Sequence, residues 1–261
     1  MILIDAHCHL EAKDFPVPGD VVARARAAGL AHAVVVGLLQ KPGDFGQALE
    51  VAAEHPGFLT PTMGIHPHDA AIATEVDWDE LDRRVSLPQV KAVGETGLDF
   101  YYDHSPREVQ AQAFRRQCAL ARQHRKPLVV HVRDAHAECA EILKSEGMTS
   151  GMIHCFTGDT AAARVYLDLG FHLSISGVVT YKKTEALRDA VTFAPVERLL
   201  IETDSPFLSP IPHRGKKNEP ANVQETARMV AQLKRMEPDA LALTCARNTK
   251  ALLQLDVALD G

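Results

Sequence analysis

Residues 2–10 read ILIDAHCHL, a short apolar run that ends in two histidines separated by one residue. A run of this length and composition is typical of a buried β-strand. Seven further runs of the same kind follow, with centres roughly 20 to 36 residues apart, which is the length of a βα unit. We predict eight strands, at Ile2–Leu10, Ala33–Leu38, Leu59–His66, Val90–Leu98, Leu128–Arg133, Met152–Phe156, His172–Val179 and Leu199–Thr203.

Segments with helical patterning separate the strand runs, and two of them have clear starting signals. Asp20 is expected to cap the first helix. Ser105, Pro106 and Glu108 supply an N-cap, a first-turn proline and a capping-box glutamate for a helix that runs to His124.

Eight strands that alternate with helices predict an α/β protein with a parallel sheet, because right-handed crossovers wind consecutive strands in one direction. A closed barrel and an open doubly wound sheet both satisfy this pattern. No G-x-G-x-x-G motif follows an early strand, which disfavours a dinucleotide-binding open sheet. We therefore predict a (β/α)8 TIM barrel, a single domain over residues 1–261, with its active site at the carboxyl ends of the strands.

Composition excludes several classes of protein. With 46% hydrophobic residues in 261 and a net charge of −6, the chain is neither disordered nor a non-specific binder of polyanions. The longest apolar run is far shorter than a membrane span, and the N-terminus lacks the basic region of a signal peptide. Five cysteines without a C-x-x-C pair are typical of reduced thiols. We expect a cytoplasmic monomer with no membrane partner.

The histidines at the end of the first strand indicate a metal site. Strand alternation predicts that Asp5, His7 and His9 share one face while Ile4, Ala6, Cys8 and Leu10 occupy the other. Two imidazoles on one face can bind one cation, although isolated H-x-H pairs also occur by chance on surfaces. Cys8 and Cys155 are expected to turn away from the site and to serve in packing.

Five other predicted strands carry histidines or carboxylates at their ends. Burying such groups without partners costs several kcal/mol, so a shared metal site explains them better than core packing. Imidazole and carboxylate ligands without thiolate favour Zn²⁺, Mn²⁺, Fe²⁺ or Mg²⁺. Six ligands are more than one tetrahedral ion needs, which indicates two ions. The residues at these strand ends are His66, His68, Glu95, His131, His154, Glu202 and Asp204.

Six motifs occur in order along essentially the whole chain: DAHCHL at 5–10, GIHPH at 64–68, GETGLD at 94–99, HCFTG at 154–158, ETDSP at 202–206 and RGKKNEP at 214–220. Together they resemble the TatD family of metal-dependent deoxyribonucleases, within the amidohydrolase-like barrel superfamily. Thr96 and Glu11 depart from the family pattern, but neither is a ligand position.

The resemblance implies two divalent ions, Mg²⁺, Mn²⁺ or Zn²⁺, which Glu95 bridges. It implies hydrolysis of DNA ends or fragments by a metal-activated water, with Asp204 as general base. Glu95 and Asp204 are therefore the predicted catalytic residues. Glu202 is expected either to support a ligating histidine or to act in catalysis. The implied metal ligands are His7, His9, Glu95, His131, His154 and Asp204.

The expected substrate contacts are His66, Arg133 and Arg214, which lie on the loop side of the predicted barrel. The basic loop at 213–217 is either a phosphate contact or simply a solvated segment. Trp78 and the few tyrosines form no series along the sequence, so no platform for stacking bases is predicted.

Two other functions compete with a nuclease. A two-metal amidohydrolase acting on a small cyclic amide, lactone or ester would use similar ligands. Many such barrels bridge their metals with a carboxylated lysine, whereas the inner run of the fifth strand contains no lysine, which favours the phosphodiesterase. A non-enzymatic scaffold would be expected to lack one or more ligands, and all six are present.

Overall fold

The computed structural model describes residues 1–259, and in these residues eight parallel strands pair in sequence order from β1 to β8. After β8, the Asp204 N–H donates to the His7 carbonyl, and the His9 N–H donates to the Ser205 carbonyl. These bonds join the first strand to the end of the last and confirm the (β/α)8 barrel. The strands are β1 Leu3–Cys8, β2 Leu30–Leu38, β3 Leu59–Gly64, β4 Val93–Asp99, β5 Leu128–Arg133, β6 Gly151–Ile153, β7 His172–Ile175 and β8 Leu199–Ile201.

Helices connect the strands and surround the barrel. Every predicted strand run overlaps an observed strand. Five strands, β1, β3, β6, β7 and β8, end earlier than predicted, and β2 begins three residues earlier than predicted. Within residues 1–259, no helix is long and apolar enough to cross a membrane. Residues 260 and 261 of the predicted domain lie outside the described residues. The α-helices are α1 Pro18–Ala27, α2 Ala48–Glu54, α3 Glu75–Ser86, α4 Arg107–His124, α5 His136–Ser145, α6 Thr160–Asp168, α7 Glu185–Phe193, α8 Val223–Lys234 and α9 Pro238–Leu253.

Both predicted helix caps are wrong. Helix α1 begins at Pro18, so Asp20 lies within its first turn instead of preceding it. The hydroxyl of the buried Ser105 does not cap α4, because it donates to the His68 carbonyl and accepts the Ala71 N–H at 3.0 Å. Ser105 therefore connects the loop after β4 to the loop after β3.

Two apolar clusters pack on opposite faces of the sheet. The larger cluster lies between the strands and the helices. The smaller one gathers residues of five strands inside the barrel, together with Ala92 just before β4, and the C-terminal segment packs against them. This segment therefore closes the amino end of the barrel and leaves the carboxyl end for the site. The members of the smaller cluster are Ile4, Ala6, Val34, Ala92, Val129, Met152, Leu200, Ala246, Leu253, Leu255, Val257 and Leu259.

A bulge in β1 changes which side chains face the interior. Asp5 pairs with Ala33 and Cys8 with Val35, so β1 advances three residues while β2 advances two. The predicted facing is therefore wrong for Ile4 and Ala6, which lie in the inner cluster. Beyond the bulge, Cys8 lies in the outer cluster as predicted. The extra residue lets one strand supply both apolar core at its start and histidines at its end.

Strand β4 contains a bulge of the same kind. Val93 pairs with Leu128 and Thr96 with Val130, again three residues against two. Gly97 follows the bulge with φ +138°, and a Cβ there would lie 2.0 Å from the His131 carbonyl oxygen. Glycine at this position therefore allows β4 to lie close to the strand that carries His131.

The C-terminal segment offers a test of the closed amino end. We expect Leu255→Ala to lower the free energy of unfolding by about 2–4 kcal/mol, because Leu255 is buried in the inner cluster. Its exposed neighbour Asp256 is the matched control, and Asp256→Ala should change stability by less than about 0.5 kcal/mol. Urea denaturation measures both, and equal effects would contradict the packing described here.

His32 offers a test by pH. Burial lowers its pKa to about 4, although the Gly57 carbonyl opposes the shift. Below pH 6.5 the unfolded chain takes up this proton before the folded chain does, so acid favours unfolding. Stability lost between pH 6.5 and 4 should reach about 3 kcal/mol from this group. The His32→Gln variant should show a shallower pH dependence of unfolding free energy, and an unchanged slope would refute this assignment.

Candidate metal centre

The six predicted metal ligands converge at the carboxyl end of the barrel. His7 lies in β1 and His9 just after it, Glu95 in β4 and His131 in β5. His154 directly follows β6, and Asp204 lies three residues after β8. Parallel strands place their carboxyl ends at one mouth, so residues far apart in sequence meet there.

The Glu95 carboxylate lies at the centre of the cluster and is almost fully buried. Its Oε2 atom lies 3.3 Å from Nε2 of His7 and 3.7 Å from Nε2 of His9. Its Oε1 atom lies 2.9 Å from Nδ1 of His131 and 3.0 Å from Nε2 of His154. Nε2 of His66 is also 3.3 Å from Oε1, so each carboxylate oxygen has its own group of imidazoles, two at Oε2 and three at Oε1.

The spacing of the donor atoms fits a metal ion on the Oε2 side. Oδ1 of Asp204 lies 3.5 Å from Nε2 of His9 and 3.7 Å from Nε2 of His7, and the two Nε2 atoms are 3.3 Å apart. Four ligands at bond lengths of about 2.0–2.2 Å around one tetrahedral ion lie about 3.3–3.6 Å from one another. The observed distances among these donors are close to that range.

Glu202 orients His154. Its Oε1 accepts hydrogen bonds from Nδ1 of His154 at 3.0 Å and from the Cys155 N–H at 2.7 Å. With Nδ1 used in this way, Nε2 faces Glu95, and the lone pair of Nε2 in the neutral imidazole would be available to a metal ion. Burial alone would lower the pKa of His154, but the carboxylates of Glu95 and Glu202 raise it well above its usual value. This contact favours a supporting role for Glu202 over direct catalysis.

Sequence reasoning missed Asp99. Its Oδ2 lies 2.8 Å from Nε2 of His68 and 3.2 Å from Nε2 of His131. Burial opposes its ionisation, but hydrogen bonds, led by that from His131, hold the pKa of the carboxyl well below its usual range. The signal was present, because Asp99 follows Glu95 by four residues and so shares its strand face.

Asp5 joins the first strand of the barrel to the segment that follows the last strand. It is fully buried and accepts hydrogen bonds from the Thr203 N–H at 2.9 Å and the His7 N–H at 3.3 Å. Burial raises the pKa of its carboxyl well above the usual value, against the effect of these bonds. The first strand and the segment that carries Asp204 are therefore connected next to the cluster.

The cluster opens into a cavity of about 830 Å³. His66 and Arg133 line it, and Nε2 of His66 lies 3.3 Å from Oε1 of Glu95. Among the described residues, Arg214 does not line the cavity. Its exposed guanidinium lies 4.2 Å from the centre of the Tyr181 ring. Two of the three predicted substrate contacts are thus inside the cavity.

Cys155 also lines the cavity, so the prediction that it turns away is wrong. Strand β6 ends at Ile153 and Cys155 has φ +42°, so strand alternation no longer applies there. Its Sγ lies 3.2 Å from the Ser176 hydroxyl, and burial raises the pKa of the thiol to about 12. The sulfur is therefore a protonated thiol at neutral pH and a weak metal ligand.

A TIM barrel with a histidine–carboxylate cluster at its carboxyl end is the architecture of a metal-dependent hydrolase. A family model described as TatD related DNase matches residues 4–254, and the chain belongs to this family.

Relatives and a solved structure agree with this assignment. The chain is 38% identical to the uncharacterized metal-dependent hydrolase YabD of Bacillus subtilis, over 98% of this chain and 100% of that protein. It is 36% identical to a protein of Rahnella named 3′-5′ ssDNA/RNA exonuclease TatD, over 90% of this chain and 91% of that protein. The crystal structure of YjjV, a TatD homologue of Escherichia coli, superposes with a TM-score of 0.88 at 29% identity, over 97% of this chain and 98% of YjjV.

Glu202 provides a test of the metal centre. We expect Glu202→Gln to weaken Mn²⁺ or Zn²⁺ binding about 10- to 100-fold, because it removes the charge that orients His154. The exposed Glu197 supplies the matched control, and Glu197→Gln should bind metal like the unmodified protein. Competition with a chelator measures both affinities. Unchanged binding in Glu202→Gln would show that His154 does not depend on this carboxylate.

Proposed function

We propose that the protein is a two-metal phosphodiesterase that hydrolyses DNA, at strand ends or in fragments. The observation that carries this proposal is the division of donors around Glu95, whose Oε2 faces His7 and His9 and whose Oε1 faces a separate group of histidines, His66, His131 and His154. A bridging carboxylate with two donor sets suits two ions about 3.5–4 Å apart, as in many phosphoryl-transfer sites.

The donor sets divide between the two sides of the carboxylate. His7, His9 and Asp204 would hold one ion with Oε2 of Glu95. His131 and His154 would hold the other with Oε1. Bound divalent ions supply Lewis acidity and lower the pKa of water.

His66 suits the Oε1 side as an additional donor. Burial lowers its pKa to about 4, although the Glu95 carboxylate opposes the shift. A neutral imidazole binds a metal ion well but attracts a phosphate only weakly. The direct phosphate contact expected from the sequence is the alternative, and metal stoichiometry of a His66→Ala variant separates the two.

Asp204 is the residue we assign as general base. Its side chain is 13% exposed and lines the cavity, whereas His7 is fully buried behind it. Burial would raise its pKa, but the hydrogen bond from His9 and the nearby imidazoles lower it, so the carboxylate is ionised at neutral pH. An ionised carboxylate open to the cavity can orient a water and accept its proton.

Nucleic acid as substrate is supported by the family description and by the name of the Rahnella relative. Within the cavity, Arg133 supplies a guanidinium that can pair with a phosphate. Because the net charge of the chain is −6, its surface as a whole does not attract a polyanion, and we expect the attraction only at this mouth of the barrel. The cytoplasmic location, the monomeric state and a phosphate contact for Arg214 stay predictions.

A substrate panel tests the proposal. With Mg²⁺ or Mn²⁺ present, we expect cleavage of single-stranded DNA and no turnover of a cyclic amide or lactone. The variant Asp204→Asn should lower the rate at least 100-fold, because it removes the general base. Asp189 is exposed on α7, and Asp189→Asn should keep full activity. Turnover of the amide or lactone with DNA left intact would instead support the amidohydrolase alternative.

A further inference from the structure

Three exposed aromatic rings lie in the two loops that border the cluster. Tyr101 and Tyr102 follow β4, and Phe207 follows β8. Their exposed fractions are 59%, 50% and 58%. Tyr102 and Phe207 both line the cavity. The chain has only 5% aromatic residues, so this concentration at one mouth is a feature that core packing does not explain.

The backbone that carries Phe207 is held firmly while its ring is left in solvent. The Phe207 N–H donates to the Asp204 carbonyl at 2.9 Å, within a tight turn. The Phe207 carbonyl accepts a 2.7 Å hydrogen bond from Nδ2 of Asn218, and the same amide group donates to the Thr203 carbonyl at 3.0 Å. Asn218 is fully buried. The backbone from which the ring enters the cavity is therefore fixed, three residues beyond Asp204.

The loop after β4 has the same construction. The N–H groups of Tyr101 and Tyr102 both donate to Oδ1 of the buried Asp99 at 3.0 Å. The guanidinium of Arg133 lies 4.0 Å from the centre of the Tyr101 ring and 4.7 Å from that of Tyr102. Tyrosine rings thus hold a cation at the cavity wall, where a phosphate would meet it.

We propose that Phe207 is a stacking surface for a nucleobase, and that Tyr102 and Arg133, which line the same cavity, receive the sugar-phosphate backbone. The inference rests on the proposed function and names the residue that would select an unpaired strand. A base in a duplex has both faces covered by its neighbours, whereas a base at a single-stranded end can lie on an exposed ring. The ring of Phe207 lies edge-to-face with the ligand His9, at 6.3 Å between centres, so the stacked base would adjoin the scissile phosphate.

Sequence reasoning predicted no such platform, because the rings are separated by about a hundred positions and form no series. The barrel brings the two loops to one mouth. A stacking surface of this kind accepts any base, since every base has an aromatic face, and selects for single strands instead of sequence.

Binding of two matched ligands tests the inference. The first is a fluorescein-labelled thymidine tetramer. The second carries the same label and the same phosphates, but each nucleoside is replaced by an abasic tetrahydrofuran residue. Fluorescence anisotropy in Mn²⁺ buffer, on the Asp204→Asn background to prevent turnover, gives both affinities. We expect the tetramer with bases to bind about 5- to 150-fold more tightly for each stacked base.

Substitutions of Phe207 locate the preference. Phe207→Ala should lower the affinity for the tetramer with bases by the contribution of one stacked base, and should leave the affinity for the base-free tetramer unchanged. Phe207→Trp should leave both affinities unchanged. Phe193 is 38% exposed at the end of α7 and does not line the cavity, so Phe193→Ala is the matched control.

Three results would overturn the inference. Equal affinity of the background protein for both tetramers would exclude stacking, as would a Phe207→Ala variant that loses affinity for both equally. DNA cleavage by the protein with its native Asp204, together with either result, would leave the proposed function intact. If the background protein binds neither tetramer, and the protein with its native Asp204 does not cleave DNA, the proposed function and this inference are both overturned.

Discussion

The buried carboxylate of Glu95 is the constraint on which the rest of the structure depends. An ionised carboxylate in a protein interior is tolerated only with partners of opposite charge, hydrogen-bond donors or a metal ion. Five imidazole nitrogens lie within 3.7 Å of its two oxygens, and they come from four different strands or strand ends. The bulges in β1 and β4 and the glycine contact between β4 and β5 all serve to bring these groups together.

A second layer of carboxylates supports the first. Asp5, Asp99 and Glu202 are each almost fully buried, and each accepts hydrogen bonds from a histidine of the cluster or from the backbone beside it. Together with Glu95 and Asp204, they place five acidic groups at one end of the barrel. Two divalent ions bound here would supply four positive charges and largely neutralise these groups, so that an acidic protein could offer metal cations to a phosphate without a change in its exterior.

Much of this arrangement could be predicted from the sequence, since strand length, βα spacing and polar residues at strand ends are local patterns. The eight strands and the meeting of His7, Glu95 and His154 follow from such patterns. The facing of Ile4 and Ala6 could not be predicted, because a bulge depends on the partner strand and has no reliable local mark. The convergence of Phe207 with Tyr102 was invisible for a related reason: it is created by closure of the barrel, which no single segment encodes.

The closure between β1 and the end of β8 has a consequence for the lifetime of the protein. His7 and Asp204 are nearly two hundred positions apart in the chain, yet their side chains belong to one donor set. An ion held between them would act as a reversible crosslink across most of the polypeptide, and its binding free energy would add to the free energy of folding. The concentration of available metal would then determine how often the barrel unfolds and can be cleaved by a protease. The same ions would therefore control both catalysis and the rate at which the protein is degraded.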